Sequence, residues 1–146
     1  MTGIEIDFVV PDCLKALELY RRIFDVQRIK VTNKKVGENE AVFTMYGTKF
    51  HTLDENFGFQ LIAPKKDAPK SIWINVNVPD IEKTFRKAMD AGCFQVQPIT
   101  KLETFGVSNA MFNDPFGHIW VLHQIHKDVS FEERCRIIDN MRHSEE

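Results

Sequence analysis

The chain has 146 residues, 43% of them hydrophobic, and a net charge of −2, which is enough apolar material for one domain with a proper core. Its lysines and arginines are dispersed, with short clusters only at Lys34-Lys35 and Lys65-Lys66, so the basic stripe of a nucleic-acid binder is missing. No apolar run approaches the roughly 18 residues of a spanning helix, and Met1-Thr2-Gly3-Ile4-Glu5 has no basic leader; the expected protein is cytoplasmic, without nucleic-acid or membrane partners.

The first alternating run, Ile4-Glu5-Ile6-Asp7-Phe8-Val9-Val10, predicts a strand that closes in Val10-Pro11-Asp12. Asp12 then caps a helix whose apolar positions Cys13, Ala16, Leu17, Tyr20, Ile23 and Phe24 recur at steps of three and four. Strand-like runs follow at about 26–32, 41–46, 49–53 and 57–63, separated by the polar stretch Asn33 to Glu40 and by Gly47. Pro64-Lys65-Lys66-Asp67-Ala68-Pro69-Lys70 has the composition of a linker.

After the linker the pattern restarts. Ile72-Trp73-Ile74-Asn75-Val76-Asn77-Val78 repeats the first strand 68 residues later and again closes in Val-Pro-Asp, at Val78-Pro79-Asp80. Asp80 caps a helix carrying Ile81, Phe85, Ala88 and Met89, with Gly92 as its stop, and strands are predicted near 94–99, 107–112 and 119–125. Ser130 and Glu133 have capping-box spacing ahead of a stripe of Phe131, Cys135, Ile138 and Met141, which predicts a final helix at about 130–143. That stripe packs on the parent domain or contributes to dimer contacts. The expected architecture is α+β: a single domain over 1–146 with one βαβββ unit at about 4–63, a second at about 71–126, and a C-terminal helix.

Three cysteines, Cys13, Cys93 and Cys135, are widely spaced and read as small apolar residues of a reducing compartment. There is no Gly-x-Ser-x-Gly elbow, phosphate-cradling glycine loop or dinucleotide fingerprint.

The two-residue period of a strand puts Glu5 and Asp7 on the face opposite the aliphatic side chains of the first strand, and Trp73, Asn75 and Asn77 on the corresponding face of the fifth. Such faces are either solvated or the wall of a pocket. Duplication favours the pocket, because two polar faces in one fold can converge.

The duplicated unit, together with Asp114-Pro115-Phe116-Gly117-His118-Ile119-Trp120-Val121-Leu122, resembles the vicinal oxygen chelate superfamily of glyoxalase I, extradiol dioxygenases and bleomycin-resistance proteins. With Asp128-Val129-Ser130-Phe131-Glu132-Glu133 it is similar more narrowly to the PhnB-like branch, although Phe131 stands where that branch tends to have proline and Ile125 where it has histidine. The label demethylubiquinone-methyltransferase-like, often attached to that branch, does not support methyl transfer.

The resemblance implies paired cup-like half-barrels around a cleft for a small molecule, a homodimer, and metal ligands at inward positions of the first and last strand of each unit. Alignment by the repeats places those positions at Glu5, Gln60, Trp73 and Val121. Trp73 and Val121 cannot ligate a metal, and a carboxylate with one neutral amide holds it weakly. His123 shares the face of Val121 and could complete a low-affinity set with Glu5 and Gln60, but the expected state is one without a cofactor, a divalent ion being the alternative.

Beside Asp7 and the apolar Trp73 and Val121, Glu5 is expected to have a raised pKa suited to a general base, or to bind a cationic or hydroxyl-bearing ligand. Trp73 can stack on an aromatic or cationic ligand. The site expected from sequence is Glu5, Asp7, Gln60, Trp73, Asn75, Asn77, Val121 and His123. Three functions fit it: a metal-free small-molecule-binding protein of bleomycin-resistance type, a glyoxalase-like lyase or isomerase using a divalent metal or Glu5 as base, and a scaffold retained for association.

Overall fold

Both Val-Pro-Asp tripeptides end a strand and launch a helix through the same two hydrogen bonds. A computed structural model, describing residues 1–144, shows strand β1 (Asp7–Val10) leading to helix α1 (Cys13–Ile23), and strand β5 (Trp73–Asn77) leading to helix α2 (Ile81–Asp90). The Asp12 carboxylate accepts the Lys15 amide at 3.3 Å, and Asp80 accepts that of Lys83 at 3.1 Å. Such caps satisfy amides that a helix leaves without partners, each contributing about 1 kcal/mol. The first helical amide is accepted from across the sheet, Cys13 N–H by Asp54 at 2.7 Å and Ile81 N–H by Gln124 at 2.9 Å.

Each unit continues with three antiparallel strands: β2 (Val26–Val31), β3 (Glu40–Met45) and β4 (Thr48–Asp54), then β6 (Phe94–Leu102), β7 (Val107–Asn113) and β8 (Ile119–Ile125). The sheet orders are β1-β4-β3-β2 and β5-β8-β7-β6, with β1 parallel to β4 and β5 parallel to β8. Two open four-stranded sheets therefore form, as expected of tandem βαβββ units, followed by α3 (Phe131–Ser144). No helix among the described residues is long and apolar enough to cross a membrane.

The inner faces of the sheets share one core. Ala41 and Ala110, and Phe43 and Phe112, occupy matching registers in the two units and are fully buried. Tyr20 of α1 and Phe24 at its C-cap reach into the second unit, each with its ring 5.0 Å from that of Trp120. Full burial of such side chains stabilises by about 2–3 kcal/mol each relative to exposure, so the core residues of one unit depend on the other.

The Asp114-Pro115-Phe116-Gly117 turn joins the units. Asp114 is buried and its carboxylate accepts the Tyr20 hydroxyl at 2.6 Å, the Trp120 indole N–H at 2.9 Å, and the backbone amides of Phe116 and His118. The His118 Nε2–H donates to the Val9 carbonyl at 2.8 Å, bringing the turn to β1. Gly117 has φ +100°, and a Cβ there would collide with the Pro64 carbonyl oxygen. The turn is thus a structural clamp whose glycine is required by both backbone angle and close approach.

Two expectations are corrected. The run 57–63 is not a strand: Phe57–Phe59 form one 3-10 turn, Gln60 takes φ +61°, and Asn56 and Leu61 exchange backbone hydrogen bonds that close the loop. An alternating aromatic pattern is overridden here by Asn56, whose side chain accepts the Gly58 amide at 3.0 Å. The first strand also begins at Asp7, leaving Glu5 in the extended lead-in.

Candidate functional site

Register identifies the equivalent positions of the two outer faces. Asp7 pairs with His51 as Asn75 pairs with Val121, and Glu40 with Leu53 as Asn109 pairs with His123. The first-unit counterpart of Val121 is therefore His51, not Gln60. Gln60 is exposed at the end of the 3-10 turn, outside the sheet, so the ligand position assigned to it moves to β4.

On the first face Glu5, Asp7 and His51 gather. The Nδ1 atom of His51 lies 2.7 Å from Glu5 Oε1 and 3.2 Å from Asp7 Oδ1, and Lys49 Nζ lies 3.3 Å from Glu5 Oε2. Hydrogen bonds from His51, then from Lys49, hold the Glu5 carboxyl below the usual carboxylate range. That reverses the raised value expected for a general base, because the hydrogen bonds from His51 and Lys49, joined by one with Asp7, outweigh the desolvation that would raise it. Glu40 faces the other ring nitrogen, 3.8 Å from His51 Nε2, a buried atom left without a hydrogen bond among the described residues.

These three residues fit a divalent ion. Their ligand atoms all lie within 4.8 Å of one another, two oxygens and one imidazole nitrogen, a donor set suited to a hard or borderline cation. The unpaired Nε2 facing Glu40 is what a histidine needs to be oriented by a carboxylate behind it while ligating through Nδ1.

The second outer face is different in kind. Asn75, Asn77, Asn109 and His123 line a groove of about 570 Å³ whose remaining walls are largely apolar, including Phe105, Val107 and Ile125. All its walls come from residues 75–138, so α3, added after the second unit, forms one side of it through Arg134 and Ile138. His123 Nε2 lies 3.4 Å from Asn75 Oδ1, and burial followed by the nearby Arg134 pushes the imidazole below its ordinary pKa.

The residues expected from sequence thus fall into separate places. Glu5 and Asp7 form the first group with His51, while Asn75, Asn77 and His123 form the second. Val121 lies on the same outer face but is 5% exposed, and Trp73, at the start of β5, is 56% exposed. His51, Glu40, Asn109 and Arg134 were not singled out as site residues. The signal for His51 was available: Tyr46-Gly47 is a two-residue turn with φ +48° and +83°, and a tight hairpin there sets the β4 register. Arg134 carried no comparable signal.

Two open sheets with parallel outer strands, helices on a shared core and polar outer faces define a class of two-unit cup proteins. Residues 4–122 match the family model described as the Glyoxalase/Bleomycin resistance protein/Dioxygenase superfamily, and the chain belongs to that superfamily. Among relatives, it is 25% identical over 129 residues to the uncharacterized protein Rv0887c of Mycobacterium tuberculosis, covering 86% of this chain and 75% of that one.

Among solved structures, it is similar to the fosfomycin resistance protein FosX from Listeria monocytogenes, complexed with Mn(II) and sulfate. There the TM-score is 0.67 at 16% identity, covering 94% of this chain and 98% of the other. The gene product At5g48480 from Arabidopsis thaliana also has a TM-score of 0.67, at 18% identity, covering 84% and 98%. At such identities these likenesses concern the fold.

Proposed function

We propose that this protein binds a small organic molecule in the second-unit groove, as a member of its superfamily that lacks ligands at the Trp73 and Val121 positions. The observation that carries the reading is the convergence of three amide side chains and one imidazole on an apolar-walled groove of about 570 Å³, within the usual size of a small-molecule site. Nuclear magnetic resonance screening with fragment-sized aromatic compounds tests it. Binders should perturb His123 and Asn75 first, and Asn77→Leu should weaken them several-fold; perturbations centred elsewhere would discard the groove. Trp73, exposed at the start of the same strand, is placed to stack on a ligand that extends past the groove.

A second reading is favoured by the Glu5–Asp7–His51 group: a divalent-metal-dependent lyase or isomerase of glyoxalase type. The ion would be held by Glu5, Asp7 and His51, with Glu40 orienting the imidazole, in place of the Glu5, Gln60 and His123 set expected from sequence. When bound, such an ion polarises a substrate oxygen or acidifies a water. Lys49, paired with Glu5, keeps that carboxylate ionised and in position. Mn(II) titration followed by electron paramagnetic resonance should show one equivalent bound to wild type and none to His51→Ala; equal binding by both would end this reading.

The likeness of residues 114–133 supports the PhnB-like branch and the resemblance to the superfamily a homodimer, while the widely spaced free cysteines support a cytoplasmic location. Sedimentation analysis checks the homodimer.

A further inference from the structure

Charge on the groove is one-sided. The chain carries a net −2, yet the charged residues lining this groove are Lys127, Arg134 and Asp128, two cations against one anion. Arg134 is absent from the ion pairs of the described residues, and its charge reaches the site, being one of the causes that lower the His123 pKa. Arg134 is exposed at the groove beside apolar side chains and neutral amides, and no carboxylate among the described residues pairs with it, so its charge is free to meet an anionic ligand.

The arrangement that puts Arg134 there is specific. The Ser130 hydroxyl accepts the Glu133 amide at 3.2 Å and starts α3, and Arg134 and Ile138, one helical turn apart, both face the groove. Upstream, the Gly106 carbonyl accepts the His126 and Lys127 amides at 2.7 and 3.0 Å, fastening the segment that leads into α3. A Cβ on Gly106 would lie 2.5 Å from the Lys127 carbonyl oxygen, so the close approach itself demands glycine.

We propose that Arg134, delivered by the C-terminal helix, is the charge-selecting residue of the groove, and that the ligand is a small organic carboxylate with an apolar body. Its carboxylate pairs with the guanidinium, its body lies against Phe105, Val107 and Ile138, and Asn75 and Asn77 receive its remaining polar groups. This inference rests on the groove being the ligand site, and adds the chemical class of the ligand and the residue that sets it.

The test uses two probes with one body, 3-phenylpropanoate and its neutral amide 3-phenylpropanamide, titrated into the full chain while the His123 ring proton resonances are followed. The acid should bind wild type about tenfold more tightly than the amide, the scale of a partly exposed charge-assisted pair. Arg134→Gln should abolish most of that preference, weakening the acid far more than the amide. Arg134→Lys should keep most of it, and Arg136→Gln, an exposed α3 cation that does not line the groove, should change nothing. Equal affinity for acid and amide in wild type, or equal losses in Arg134→Gln and Arg136→Gln, would overturn the charge assignment while the groove stands. If neither probe moves His123, the groove reading fails and this inference with it.

Discussion

The two units share a backbone plan and an inner face but differ almost completely on the outside. Where the first unit has Glu5, Asp7, Glu40 and His51, the second has Trp73, Asn75, Asn109 and Val121, and where the first has Leu53 the second has His123. One face gathers carboxylates around an imidazole; the other is amide-lined and closed by α3 on one side. Inner positions such as Phe43 and Phe112 must fill the same closed space, whereas outer positions answer only to what they bind. Duplication here supplied a second sheet, and divergence of the outer faces gave the sheets different chemistry.

The connection between the third and fourth strands of each unit shows the same contrast. In the first unit it is the tight turn Tyr46-Gly47; in the second it is the longer Asp114–Gly117 clamp, which reaches back to Tyr20, Val9 and Pro64. Removing the clamp is the severest way to break the comparison. Asp114→Ala strands four donors in or near the core and should destabilise by about 3–5 kcal/mol in urea denaturation.

A paired glycine experiment comes next. Gly117→Ala meets both a left-handed backbone angle and the Pro64 carbonyl, and should cost about 3 kcal/mol. Gly47→Ala has φ +83° but open space around its Cβ, so it should cost only about 1–2 kcal/mol. Equal losses would show that the second turn is no more constrained than the first.

Acid should distinguish the units more gently. Burial raises the Asp54 pKa, but the amides of Cys13, Asn39 and Gly37 outweigh it and hold the carboxyl below its ordinary value. A folded value below the unfolded one contributes stability that is complete above the unfolded pKa of about 4 and is lost as pH falls through the folded value. The second-unit counterpart, Gln124, does not titrate. Below about pH 4, hydrogen exchange should therefore accelerate at the start of α1 before that of α2, and Asp54→Asn should remove this difference.

The smallest expected effect concerns His123. Burial and then Arg134 lower its pKa, so its ring should titrate below the ordinary 6.5, and Arg134→Gln should move the midpoint upward. An unchanged midpoint would mean that α3 contributes no field to the groove.

Much of the architecture was legible in the chain. Val-Pro-Asp announced both helix starts, and alternation located β3, β4, β7 and β8 to within one or two residues, because caps and two-residue periods are local consequences of backbone geometry. The exception was 57–63, where one asparagine cap and a left-handed Gln60 defeated an apparent strand. Of the candidate residues, Asp7, Asn75, Asn77 and His123 lie on the outer strand faces that periodicity gave them, whereas Glu5 precedes β1, and the company of all five was not visible. The partner of Glu5 was His51 on β4, and that of His123 was Asn75 with Arg134 beyond it.

By itself the sequence determined the duplicated units, their helix caps and which side chains face the core, since these depend on neighbours a few residues apart. Only the tertiary structure decided which outer residues meet. Parallel pairing of β1 with β4 joins positions 44 residues apart, Asp7 with His51, and the return of α3 sets Arg134 across a groove from strands far earlier in the chain. Such contacts are set by register and packing between distant segments, where a shift of one residue exchanges the faces of a strand.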